Sequence, residues 1–174
     1  MTNLFKAFAA SAILASAGFV AIEPAFAQKA PIYLKKGETA AVGGYDTVSY
    51  FAGAAPVKGS TQFSTQYQGA TFLFSSQANL DAFKASPAKY APQYGGYCAY
   101  AVANGQTAAG DPLAYTLHNG KLYLNLNQSI STKWKKDIPG YVAKGDSNWP
   151  RVLGATPARQ TSAPASGGFG GGGS

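Results

Sequence analysis

The stretch AYTLHNGKLYLNLN, Ala114 to Asn127, restricts the fold more than any other. Asn119-Gly120 separates two alternating runs, and both residues of such a two-residue turn need positive φ, which Asn and Gly tolerate. The register that follows pairs Leu117 with Leu122 and Tyr115 with Leu124 on the expected core side. His118, Thr116, Tyr123 and Asn125 share the other side. A second hairpin is legible in QFSTQYQGATFLF, with Gln68-Gly69 as its turn. Phe63, Thr65, Tyr67, Ala70, Phe72 and Phe74 then lie on one face.

Helical signals fill the gaps. SSQANLDAFKASP begins with Ser75 or Ser76 as N-cap and stops at Pro87, with Leu80 and Phe83 as its buried pair. NQSISTKWKKD spaces Ile130 and Trp134 four apart and carries lysines at its C-terminal end, where the helix dipole favours them. IPGYVAKGDSNW predicts a third, short helical turn. Hairpins and helices without regular β-α-β alternation predict an α+β fold: a small antiparallel sheet with two or three short helices packed on it, in a single domain.

The flanks read differently. Lys6, the apolar run Ala7 to Ile22 and the small-x-small triplet Ala25-Phe26-Ala27 fit a signal peptide over residues 1–27, cleaved before Gln28. Glu23-Pro24 interrupts the apolar run short of a membrane span, and no second run of spanning length follows. The expectation is an exported chain, periplasmic or secreted, with no stable span after cleavage. Residues 28–38 form a lead-in and 39–153 the domain. Residues 154–174, rich in Gly, Ser, Ala and Pro, have too little apolar surface to order themselves. The formal charge is +7, but the lysines are scattered, and Lys133, Lys135 and Lys136 read as a solvated helix face. Without clustered arginines, an exported chain of this kind is not expected to bind nucleic acid.

Export sharpens the question posed by Cys98 in YGGYCAYAVA, the chain's one cysteine. Exported proteins usually pair their cysteines. A lone one is a buried small hydrophobe, an intermolecular crosslink, a metal ligand or a reactive thiol. A strand through Tyr97–Val102 would put Cys98, Tyr100 and Val102 on one face. Gly95 and Gly96 would let a ligand approach the backbone, with Tyr94 and Tyr97 lining the pocket, or would simply make a tight turn. His118, the single histidine, is either a hairpin-end residue opposite Lys121 or the partner of Cys98, as a ligand or as a base. Asp46 and Asp111 could complete a metal shell. Both could equally cap turns, and Pro112 favours that role for Asp111. The chain has no CxxC, CxxCH, P-loop, GxSxG or HExxH motif.

AVGGYDTVSYF, the long run from Phe63 to Ala103, GDPLAYT, NGKLYLNLN and NWPRVL together resemble the YHS domain family, in particular its small exported (seleno)protein branch. The resemblance implies a compact α+β unit associated with metal binding. The family's Phe-Cys-Ser and the cysteine that follows it fall on Phe74, Ser75 and Asn79, with Phe83, Pro87 and Tyr90 continuing the pattern. Both family thiols are thus replaced, and Ser and Asn are poor ligands for soft cations. The branch's selenocysteine position falls on Cys98. Three expectations follow. The first is a transition-metal module, copper or zinc, using Cys98, His118 and Asp46 or Asp111. The second is a thiol protein in which catalytic Cys98 reduces a peroxide or similar small oxidant through a sulfenic acid. The third is a structural or interaction domain with an inert cysteine. The first requires Cys98 and His118 to be close, the second an accessible thiol, and the third a buried one.

Overall fold

The computed structural model describes residues 29–53 and 55–154. The signal-peptide segment and all but the first residue of the tail lie outside them. The fold is α+β, as the patterning predicts. Strands β1 (Ser60–Tyr67) and β2 (Ala70–Phe74) form one antiparallel hairpin, and β3 (Asp111–His118) and β4 (Lys121–Asn125) form another. They make two separate two-stranded sheets. Both turns have positive φ at both central residues, Gln68-Gly69 and Asn119-Gly120. The expected register holds: Leu117 pairs with Leu122 and Tyr115 with Leu124.

Each hairpin feeds a helix. Helix α1 (Gln77–Ala85) follows β2, and the Ser76 side chain caps it by accepting from Asn79 N–H. A single turn, α2 (Pro87–Tyr90), comes next. Helix α4 (Gln128–Trp134) follows β4, and the Asn127 side chain caps it by accepting from Ile130 N–H. The expected strand through Tyr97–Val102 is instead a short helix, α3 (Ala99–Ala103). The Ala-rich stretch has no β-branched run to oppose helix, and Gly105, at positive φ, follows its end. The third helical turn is a 15-residue helix, α5 (Ile138–Val152), capped by Asp137. Among the described residues, no helix is long and apolar enough to cross a membrane.

The two halves repeat one design. Gly43-Gly44-Tyr45-Asp46 corresponds to Gly95-Gly96-Tyr97-Cys98. Val42, Gly43 and Gly44 have φ of 53°, 56° and 75°, and Tyr94, Gly95 and Gly96 have 53°, 58° and 82°. Asp46 N–H donates to the Val57 carbonyl at 2.8 Å, and Cys98 N–H to the Ala108 carbonyl at 3.0 Å. Each first strand has a bulge at the same place, between Ser60 and Ser64 and between Asp111 and Tyr115.

Both cores hold an aromatic pair at the same place. Phe72 and Phe83 stack with ring centroids 4.9 Å apart, and Tyr123 and Trp134 pack as a tilted pair at 5.2 Å. Strand β4 is the shared wall, buried on both faces. Leu122 and Leu124 join the first unit's apolar cluster, and Tyr123 joins the second unit's. Residues 29–38 are part of the packing as well. Ile32 is buried in the first cluster, and Tyr33 N–H donates to the Gly95 carbonyl at 2.8 Å.

Candidate functional site

The two acceptor side chains at matching positions are the chemical centres of the two units. Asp46 is fully buried. Its Oδ1 accepts from the backbone N–H groups of Val48 (2.9 Å) and Ser49 (3.3 Å). Its Oδ2 accepts from Ser75 N–H (2.9 Å), the Ser75 hydroxyl (2.7 Å) and Asn79 Nδ2 (2.6 Å). A carboxylate taken out of water is tolerated only when its lone pairs are met in this way. Asp46 thereby ties the start of the first unit to the junction of β2 and α1.

Cys98 occupies the corresponding place in the second unit and is 1% exposed. Its Sγ accepts from Leu126 N–H at 3.2 Å, the counterpart of the Ser75 N–H bond to Asp46. The thiol also lies 3.8 Å from Asn125 Oδ1, to which its S–H can donate. Tyr100 N–H donates to the same oxygen at 3.2 Å, which fixes the orientation of the amide. Both hydrogen-bonding capacities of a neutral thiol are therefore used.

The other expected ligands lie apart from it. His118 pairs with Lys121 beside the hairpin turn, while Cys98 bridges to Leu124, three residues further along β4. That is roughly 10 Å of strand. Asp111 Oδ1 accepts from Leu113 N–H at 2.9 Å, the turn-capping role that Pro112 favours. Asp46 is engaged in the first unit. Among the described residues, no group of three or more His, Cys, Asp or Glu comes together to hold a metal ion. The shell of Cys98, His118, Asp46 and Asp111 expected from the sequence is not assembled, because hairpin register separates His118 from the thiol, Asp111 caps its own turn and Asp46 is held by Val48, Ser49, Ser75 and Asn79.

Three of the expected pocket residues divide between two surfaces, and Tyr97 lines neither. Gly96 lines a cleft of about 380 Å³ with Tyr33, Val42, Tyr45, Lys58, Pro112, Leu124 and Leu126. Asp111 lines it too. Tyr94 and Gly95 face a different depression, bounded by Trp149. The Tyr94 hydroxyl donates to Asp146 Oδ1 at 2.9 Å, and burial, reinforced by that carboxylate, pushes its phenol well above the ordinary tyrosine range. Tyr97 donates to the Ala30 carbonyl at 3.0 Å, and burial raises its phenol too. Both act as neutral donors that anchor chain segments.

Residues 48–94 match the family model described as the YHS domain. Over those residues, less than half of the chain, the sequence is similar to a YHS domain. No curated protein and no solved structure matches the chain significantly. The YHS match spans the first unit from just after Asp46 to the start of the second glycine pair. The metal association of YHS domains can be tested on this unit's own donors. Ser75 and Asn79, at the two family thiol positions, both donate to Asp46. That donor set has no sulfur, and the nitrogen of Asn79 is turned toward the carboxylate as an N–H donor. It does not fit a soft cation.

Sequence reasoning missed two features. It did not see that Asp46 belongs with Ser75 and Asn79, nor that Asn125 contacts the thiol. Comparing the chain with itself carries the signal for both, since GGYD and GGYC precede hairpins of equal length.

Proposed function

We propose that this chain is an exported small-ligand-binding module, in which the cleft between the two units is the binding seat and Cys98 is a structural thiol. The carrying observation is the cleft itself. Its volume of about 380 Å³ lies within the usual range for small-molecule sites. Val42 and Tyr45 come from the first unit, Pro112, Leu124 and Leu126 from the second, and Tyr33 from the lead-in. Lys58 is one of four charged residues on the cleft's lining, with Lys35, Glu38 and Asp111. Its ammonium sits 4.0 Å from the centre of the Tyr45 ring and donates to the Gly43 carbonyl, which leaves further N–H groups for a ligand.

Support for a structural thiol over metal or peroxide chemistry comes from its burial and its two hydrogen-bond partners. Support for export comes from the Lys6, apolar-run and Ala25-Phe26-Ala27 pattern.

Anilinonaphthalene sulfonate, an apolar aromatic anion, is a suitable probe. Titrated into the protein from Gln28 onward, it is expected to show a saturable, single-site fluorescence rise. Lys58→Glu is expected to weaken that binding roughly five- to tenfold by reversing the charge beside the ligand. A rise that does not saturate, or one that Lys58→Glu leaves unchanged, would remove the cleft from the account.

A further inference from the structure

The second unit differs from the first in one respect that its hydrophobic pattern does not explain. In the first unit, the hairpin and α1 meet through apolar side chains. Phe72, Phe74, Leu80 and Phe83 are all buried, with Phe74 and Phe83 centroids 5.0 Å apart. The corresponding residues of the second unit are Tyr123, Asn125, Ser131 and Trp134, equally buried. Three of these four carry polar atoms, Asn125 Nδ2, Ser131 Oγ and Trp134 Nε1, that have no hydrogen-bond partner among the described residues. Thr116 Oγ1 is in the same position.

The residues that carry these atoms lie on two elements packed together, the β3–β4 hairpin and α4. Tyr123 and Asn125 are two residues apart on β4 and share a face, and Thr116 is the register partner of Tyr123. Trp134 packs tilted against Tyr123 from α4, with Ser131 one turn earlier on the same helix face. Buried polar atoms in native proteins are almost always paired, and an orphan costs about 1–3 kcal/mol. Several along one seam describe a binding site. Two of the groups, the amide and the indole, only donate, and no lysine or arginine is buried among them. The seam therefore suits a small neutral acceptor better than a cation or an anion.

We propose that the seam between the β3–β4 hairpin and α4 is a specific internal site for a water molecule, held by Asn125 Nδ2, Ser131 Oγ and Trp134 Nε1. The water completes the hydrogen bonding of Asn125, whose Oδ1 holds Cys98 and Tyr100 N–H, so it sets the amide that orients the thiol. The site is independent of any ligand in the cleft.

The test combines two measurements on the protein in solution. The indole N–H of Trp134, assigned with a Trp149→Phe variant, is expected to show a cross-relaxation peak to water with the sign of a long-lived contact. Ser131→Ala, which removes one arm of the site without adding bulk, is expected to lower the folding equilibrium constant roughly three- to tenfold, the usual effect of one lost hydrogen bond. If Ser131 Oγ were a true orphan, deleting it would leave stability unchanged or raise it. No water peak at Trp134, or a Ser131→Ala protein as stable as the parent, overturns the proposal.

Discussion

Asp46→Ala is expected to lower folding stability by about 3–5 kcal/mol, the range for removing one member of a buried charged network. The carboxylate accepts five hydrogen bonds, from Val48, Ser49, Ser75 twice and Asn79. Alanine leaves those donors facing a cavity with no acceptor, and Asn79 loses its tie between α1 and the start of the unit. A hydrogen bond to a charged group contributes about 1.5–3 kcal/mol, so even partial rearrangement leaves a large deficit. Urea denaturation followed by circular dichroism measures it. Against a typical domain stability of about 5–15 kcal/mol, the variant would be marginal at room temperature. A change below about 1 kcal/mol would mean that the polar cluster at the family thiol positions does not hold the first unit together.

The second large effect separates the two equivalent glycines. Gly43 and Gly95 have nearly the same positive φ, 56° and 58°. Alanine at either site carries the left-handed penalty of about 1–2 kcal/mol. At Gly43 the added methyl meets only Pro112 Cγ, at 3.4 Å. At Gly95 it would overlap the Pro31 carbonyl, because the lead-in crosses the second unit at that point. Gly43→Ala is therefore expected to cost about 1–2 kcal/mol, and Gly95→Ala at least about 3 kcal/mol, in the range of overpacking added to backbone strain. Gly95→Ala should also free the segment around Ile32 and Tyr33, and limited proteolysis would find the new cut there. Equal costs at the two glycines would mean that the lead-in does not use Gly95 as its seat.

The parts of this fold that were legible in the sequence are those governed by local chemistry. Asn119-Gly120 and Gln68-Gly69 specify their turns, and the turn fixes the register, which in turn places His118 opposite Lys121. Ser76 and Asn127 cap their helices through contacts three residues away. Features that depend on distant contacts were not legible. Asp46 reads as a turn residue until β2 brings Ser75 beside it. The Cys98 region alternates in a way that suits a strand, yet forms a helix, because α5 packs against it and Asn148 Nδ2 donates to the carbonyls of Val102 and Ala103. The alternation of β4 suggests one wet face, whereas Tyr123 and Asn125 are buried under α4.

Cys98 brings these strands together. Its position in the sequence allows a ligand, a nucleophile or a packed thiol. In the structure it does for Leu126 N–H what Asp46 does for Ser75 N–H. A thiol spans that distance with a neutral group whose own proton is accepted by Asn125, so the second unit needs no buried carboxylate at this position.

The most direct test of this role is the rate at which iodoacetamide alkylates Cys98 in the native protein, compared with the rate in urea. A structural thiol reacts only when the second unit opens, so native labelling is expected to be at least about a thousandfold slower and to track the unfolding equilibrium as urea is added. Native labelling within about tenfold of the unfolded rate, independent of urea below the transition, would contradict the account and return Cys98 to metal or redox chemistry.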